Sequence, residues 1–235
     1  ANAEVFEAVA QSINFKLILQ YQNKLDYLEA LLMGQANLLK IECEDHYYNH
    51  LQKIYKFLQS KHELKPVGFK AEFFRLRPAN FPSIRLAQLA SLLHQNTSLA
   101  RLLLKAETLT DLKPIFDIKV SPYWKTHYNF GKESKPTAKQ LSAGFVQLCA
   151  INAIIPLQFA YYQFKQTLDF EAQILALVRS LNPEHNSIIK RFKAIGFEDQ
   201  ISSALETQAL LTLKKDYCDQ KRCLNCNFGI KLMQQ

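Results

Sequence analysis

Glycine and proline are scarce in this sequence, 6 and 8 among 235 residues. That scarcity excludes collagen-like, low-complexity and many-turned all-β architectures. No alternating strand pattern of useful length occurs, and there is no internal repeat. Several enzyme signatures are also missing: a Gly-rich dinucleotide loop, the Gly-x4-Gly-Lys-Ser/Thr phosphate cradle, His-Glu-x2-His and Gly-x-Ser-x-Gly. No pair of carboxylates stands out as a catalytic dyad, so the residues do not argue for catalysis by this chain alone. The 5 cysteines are an odd number without the dense pattern of a secreted disulfide scaffold. They point to a reducing, cytoplasmic compartment. No amino-terminal stretch combines basic residues, an apolar segment and a small-residue cleavage site, so no secretory signal is expected.

What the chain has is apolar residues, 48% of the total, and a formal charge of +8. The apolar positions recur at helical spacing. Phe6, Val9, Ala10 and Ile13 form one stripe. Leu25 to Leu39 has the same character, with Gly34 as its weak point. From Asp45 to His62 the stripe is Tyr47, Leu51, Ile54, Tyr55 and Leu58, with His46, His50 and Lys53 on the wetter side. Pro82 suits a first helical position, ahead of Leu86, Leu89, Ala90 and Leu93. Asn186 or Ser187 can cap a short helix ending at Gly196. Ile201, Leu205, Ala209, Leu213 and Tyr217 share a face of the last long one.

From Leu141 to Phe164 there is no charge, and this run must be tested as a membrane span. Gln147, Asn152, Pro156, Gln158 and Gln163 interrupt it, which predicts a buried central helix kinked by Pro156 near Asn152. No membrane partner is expected. The sum is an all-α, compact single domain over 1–235, with about ten helices packed around this segment. The loop Gly131 to Thr137 suggests sublayers at 1–130 and 138–235.

Three segments carry candidate chemistry. In Arg75-Leu76-Arg77-Pro78-Ala79-Asn80-Phe81-Pro82-Ser83-Ile84-Arg85, guanidinium groups lie beside a helix start, where backbone amides and the dipole favour an anion. Arg75, Arg77, Asn80, Ser83 and Arg85 are the expected anion-binding residues. The structural alternative has Arg75 and Arg77 paired with carboxylates such as Glu72. In Ser121-Pro122-Tyr123-Trp124-Lys125-Thr126-His127-Tyr128, a helical turn would set Trp124 over Tyr128 and Tyr123 over His127. That arrangement could stack or position a single-stranded nucleic acid, or it could be core packing with Trp124 as an anchor. Cys218, Cys223 and Cys226 place three thiols within nine residues. They could hold a structural zinc or iron-sulfur group if a fourth ligand approached, pack reduced against a terminal cap, or carry redox chemistry. Cys43, His46 and His50 sit at i, i+3 and i+7, one face of one helix, and could converge on a metal, although Lys53 on the same face would repel a cation. A solvated polar face is the simpler reading there.

Glu29-Ala30-Leu31-Leu32-x-Gly34-Gln35-Ala36, Arg75 to Pro82 with the helix Ile84 to Ala90, Tyr123-Trp124 with His127-Tyr128, and the Cys218, Cys223, Cys226 tail together resemble the bacterial family catalogued as domain of unknown function 2851, common among Bacteroidetes. The resemblance runs over essentially the whole chain. It implies no reaction. It does imply a longer protein in which a strand-rich section precedes Ala1, so that this chain is the helical carboxy-terminal portion. Any catalytic residues would sit in that preceding section.

The leading functional expectation is a non-catalytic binding or scaffolding module with an anionic partner, such as nucleic acid. The rival is part of an enzyme, with the arginine cluster and His127 positioning a phosphorylated or nucleic-acid substrate beside residues of the missing section.

Overall fold

The computed structural model describes residues 2–69 and 71–233. In chain order the helices are α1 (Asn2–Ser12), α2 (Phe15–Tyr21), α3 (Leu25–Gln35), α4 (His46–His62), α5 (Pro82–Gln95), α6 (Leu99–Lys105) and α7 (Leu109–Phe116). They continue as α8 (Pro122–Thr126), α9 (Ala143–Cys149), α10 (Ile155–Phe164), α11 (Phe170–Ser180), α12 (Ser187–Phe192), α13 (Ala204–Thr212) and α14 (Asn227–Met233). The fold is all-α apart from one small hairpin, β1 (His127–Asn129) against β2 (Lys132–Glu133). Spacing did not reveal that hairpin because its strands are too short to show alternation. Gly131 at φ +67° makes its turn, a conformation that L side chains rarely adopt.

The chain divides into two compact units, 1–99 with 115–142, and 100–114 with 143–235. The last of these boundaries, at 142, follows the loop Gly131 to Thr137. The return of 100–114 to the later unit is a tertiary pairing that no local composition announces.

In the first unit α3 packs between α4 and α5. Its residues from Leu28 to Gln35 are all buried, Glu29 and Gln35 included. Leu28, Leu31, Leu51 and Leu58 are sealed from solvent, and each contributes roughly 2 kcal/mol of apolar burial. Asp45 caps α4 by accepting from the Tyr48 amide at 2.9 Å, which fixes where that amphipathic stripe begins. Gly34 is where α3 and α4 come closest. A Cβ there would lie 2.1 Å from the Tyr55 ring, so the weak helix former is required by packing.

The uncharged run in the second unit is not a buried central helix. One stripe, Val146, Ala150, Ile154 and Gln158, is buried, while Leu148, Leu157, Phe159 and Phe164 are exposed, Phe164 by 83%. Among the described residues, Ala143–Phe164 is the helix long and apolar enough to cross a membrane by length and composition. Its side-chain amides are nevertheless committed to protein. Gln158 Nε2 donates to the Leu103 and Ala106 carbonyls at 2.8 Å, Tyr162 donates to Leu104, and Gln147 donates to Asn182. Ahead of Pro156 the helix widens into a turn closed by Ile155 N–H donating to Ala150 O. The wider turn accommodates a ring that has no amide hydrogen and crowds the preceding carbonyls.

Asn186 caps α12 through the Ile188 and Ile189 amides. Ser203 and Glu206 form a reciprocal capping box at α13. The face of α13 that turns inward is Ala204, Thr207 and Leu210. Of the line read from spacing, Ile201, Ala209, Leu213 and Tyr217 contribute to a cleft of about 590 Å³.

Candidate functional site

The arginine segment and the aromatic segment are brought together in the first unit. Phe73 meets Phe81 edge-on at 5.1 Å, and the Asn80 amide donates to Arg77 O at 2.8 Å, so the chain from Phe73 to Phe81 is folded on itself. Arg85, one turn into α5, donates to Asn80 Oδ1 at 2.6 Å and to Gln88 Oε1 at 3.0 Å. Gln88 passes the link on by donating to Lys139 O at 3.0 Å. Ser83 Oγ donates to Tyr128 O at 2.6 Å. Lys139 is only 6% exposed, with its ammonium 3.7 Å from the Tyr128 ring centroid and donating to Thr137 O at 3.2 Å. A ring face and carbonyl oxygens replace the water this cation gives up.

Three of the expected anion ligands, Ser83, Asn80 and Arg85, are thereby corrected. Ser83 is fully buried and its hydroxyl is used by Tyr128. Pro82 has no amide hydrogen, and Ser83 and Ile84 are buried, so the start of α5 does not open its backbone to a guest. Asn80 and Arg85 hold each other. Arg75 and Arg77 remain exposed, and neither reaches a carboxylate at ion-pair distance among the described residues. Arg75 sits at φ +59° with its guanidinium 5.1 Å from the centroid of the exposed Phe74 ring. They stand on open surface. The nearby hollow is lined by Glu4, Glu72, Phe73 and Phe74, which does not suit an anion.

The aromatic segment packs inward. Trp124 is 0% exposed, and its indole nitrogen donates to Glu29 Oε2 at 3.1 Å. Tyr123 does stack on His127, at 3.9 Å between centroids, but its other face lies on Tyr47 at 4.5 Å. His127 is buried, with Nδ1 within 3.0 Å of Thr126 Oγ1 and Tyr123 O. Tyr128 lies in the hairpin, not one helical turn from Trp124, and its ring faces Lys139. Trp124 and His127 are buried and Tyr123 is covered on both faces, so none of these three offers an open face for a base, and His127 does not reach outward to position a substrate.

Spacing did not single out the acidic centre of this cluster. Glu29 accepts from Tyr47 at 2.6 Å as well as from Trp124, and the Tyr47 hydroxyl lies 3.0 Å from Ser121 Oγ. Glu29 Oε1 is buried with no hydrogen-bond partner. Burial pushes its carboxyl up to about 7, against the lowering effect of the Tyr47 and Trp124 hydrogen bonds. Burial, and then the Glu29 charge, raises the Tyr47 phenol. Asp45 shows the opposite balance: burial raises it, but the Tyr123 hydroxyl and the Tyr48 and Gly131 amides hold it below its usual value.

Cys43, His46 and His50 do not share a helix face, because α4 begins only at His46. His50 pairs instead with Asp26 at 3.0 Å. Cys218 and Cys223 are exposed and Cys226 is buried. Among the described residues no three His, Cys, Asp or Glu side chains converge in a way that could hold a metal ion.

The family model described as Protein of unknown function (DUF2851) matches residues 1–187. The chain belongs to this family. The DUF2851 match takes in the whole first unit, with both the arginine and the aromatic segments, and ends before α13 and the cysteine tail. The tail therefore lies outside the matched part, although the resemblance read from sequence included it. No curated protein and no solved structure matches the chain.

Proposed function

We propose that the first unit is a non-catalytic module that binds an extended polyanion, the phosphate backbone of a nucleic acid, through Arg75 and Arg77. The observation that carries this reading is that both arginines are exposed and, among the described residues, reach no carboxylate at ion-pair distance, on a segment whose backbone is fixed by Arg85, Asn80 and the Phe73–Phe81 contact. An open surface suits a polymer that lies across it better than a small phosphate that must be enclosed. The exposed Lys125, Lys132 and Lys135 of α8 and the hairpin region extend the positive charge within the same unit. The net charge of +8 favours encounter with such a partner.

Binding of a fluorescent oligonucleotide, measured over a range of salt concentrations, tests this. The intact chain should bind at low salt and weaken steeply as salt rises. Replacing Arg75 and Arg77 by Ala should lower the slope of log affinity against log salt by about 2, one for each lost phosphate contact. Undetectable binding at low salt, or an unchanged slope in the double variant, would overturn the proposal.

A further inference from the structure

The cysteine tail is independent of the polyanion site, and its local geometry suits chemistry that needs two thiols. The Cys226 amide donates to the Cys223 carbonyl at 3.2 Å, closing a single tight turn over Cys223–Asn225. An i-to-i+3 turn holds its end Cα atoms within about 7 Å. Disulfides span Cα separations of roughly 4.4 to 6.8 Å. The turn is backed by α14, since a Cβ on Gly229 would lie 2.3 Å from Cys223 O. Helix and turn are thus packed backbone to backbone. The two thiols differ in access: Cys223 is exposed, while Cys226 is 8% exposed and forms part of the cleft wall with Phe197, Leu213, Tyr217 and Phe228. Immediately before them stand the exposed cations Lys221 and Arg222.

We infer that Cys223 and Cys226 form a reversible dithiol–disulfide pair that exchanges with small anionic disulfides of the glutathione class. The exposed Cys223, reacting as thiolate, attacks one sulfur of the incoming disulfide. The sulfur–sulfur bond breaks, and one small thiolate leaves and takes up a proton. Cys226 then loses its proton and attacks the Cys223 sulfur, expelling the second small thiol. The chain is oxidised by two electrons and the small disulfide is reduced to two thiols. Lys221 and Arg222 attract the carboxylates of the reagent. The buried position of Cys226 keeps it from direct attack by the reagent, so Cys223 is the thiol that reacts first. Cys218 lies in the preceding turn, whose Lys221 amide donates to Cys218 O, and it takes no part.

The test is to equilibrate the reduced full chain with glutathione and glutathione disulfide, quench it with acid, and map the thiols by intact mass and peptide analysis. The expected product has lost about two mass units through a Cys223–Cys226 bond. It should form equally well in Cys218→Ser and return to dithiol when reduced glutathione is in excess. Cys226→Ser should stop at a glutathione adduct on Cys223. Three results would each overturn the inference: a bond to Cys218, an intact chain that stops at the mixed disulfide, or thiols left reduced under conditions that oxidise the urea-unfolded chain. Zinc bound in one-to-one ratio by the chain as purified, and blocking the exchange, would overturn it as well.

Discussion

Replacing Glu29 by Gln should flatten the pH dependence of stability between about pH 4.5 and 7 and abolish a titration of tryptophan fluorescence centred near neutrality. The folded carboxyl is pushed up to about 7 from an ordinary value of 4.5, chiefly by burial. Below the ordinary value the carboxyl is protonated in both folded and unfolded chains, and its full contribution is present. As pH rises, the unfolded chain ionises first, and stability falls until the folded carboxyl also loses its proton. The total swing is roughly 3 to 4 kcal/mol, from 2.5 pH units at about 1.4 kcal/mol each. Asp45, whose carboxyl is held low, works in the opposite direction and costs stability only as pH falls through its folded value. Glutamine suits the site because Tyr47 and Trp124 both donate to Oε2. Its amide nitrogen would take the place of the unpartnered Oε1, as the protonated acid does. The chain has a single tryptophan, and its indole touches Glu29, so emission reports this proton directly. Urea melts at several pH values provide the second readout. A variant that keeps both the wild-type slope and the fluorescence transition would show that another group is titrating.

Gly34→Ala is expected to destabilise the first unit by about 3 kcal/mol, despite a gain of roughly 1 kcal/mol in helix propensity. The added carbon would meet Tyr55 Cδ2, Cγ and Cε2 at 2.1 to 2.4 Å. The ring cannot swing away cheaply, since it is buried and its hydroxyl donates to Gln35 Oε1 at 3.2 Å. The midpoint of urea unfolding measures the loss. Gly144→Ala is the control, because nothing lies within 4 Å of a Cβ there. Equal midpoints for the two variants would mean that α3 and α4 do not cross this closely.

The elements legible in the sequence were those whose determinants are local. The stripe of α4, the proline that opens α5 and the Asn186 cap each lie within a few residues of what they specify. The uncharged helix departs from its expected central burial for a physical reason: absence of charge does not distinguish a surrounded helix from one held along a single stripe. What holds it is Gln158 on carbonyls more than 50 residues earlier, and no helical period encodes that. Glu29 carries no local signal of a site, because its partners come from afar. Tyr47 is 18 residues away and Trp124 is 95. The arginine segment was legible as chemistry, but the inward turn of Ser83 depends on a hairpin 45 residues later, whose short strands gave no signal.

Among the described residues six other than glycine adopt positive φ, and Glu63 is the one that ends α4, at φ 52° and ψ 36°. A glutamate is doubly ill suited to that position. Its Cβ crowds the left-handed backbone, and its charge lies against the negative end of the helix. Glu63→Gly would remove both conflicts and should raise stability by about 1 kcal/mol, measurable as a later urea midpoint. Anyone seeking a hardier version of this chain for crystallisation has a place to begin that touches neither the arginines nor the thiols.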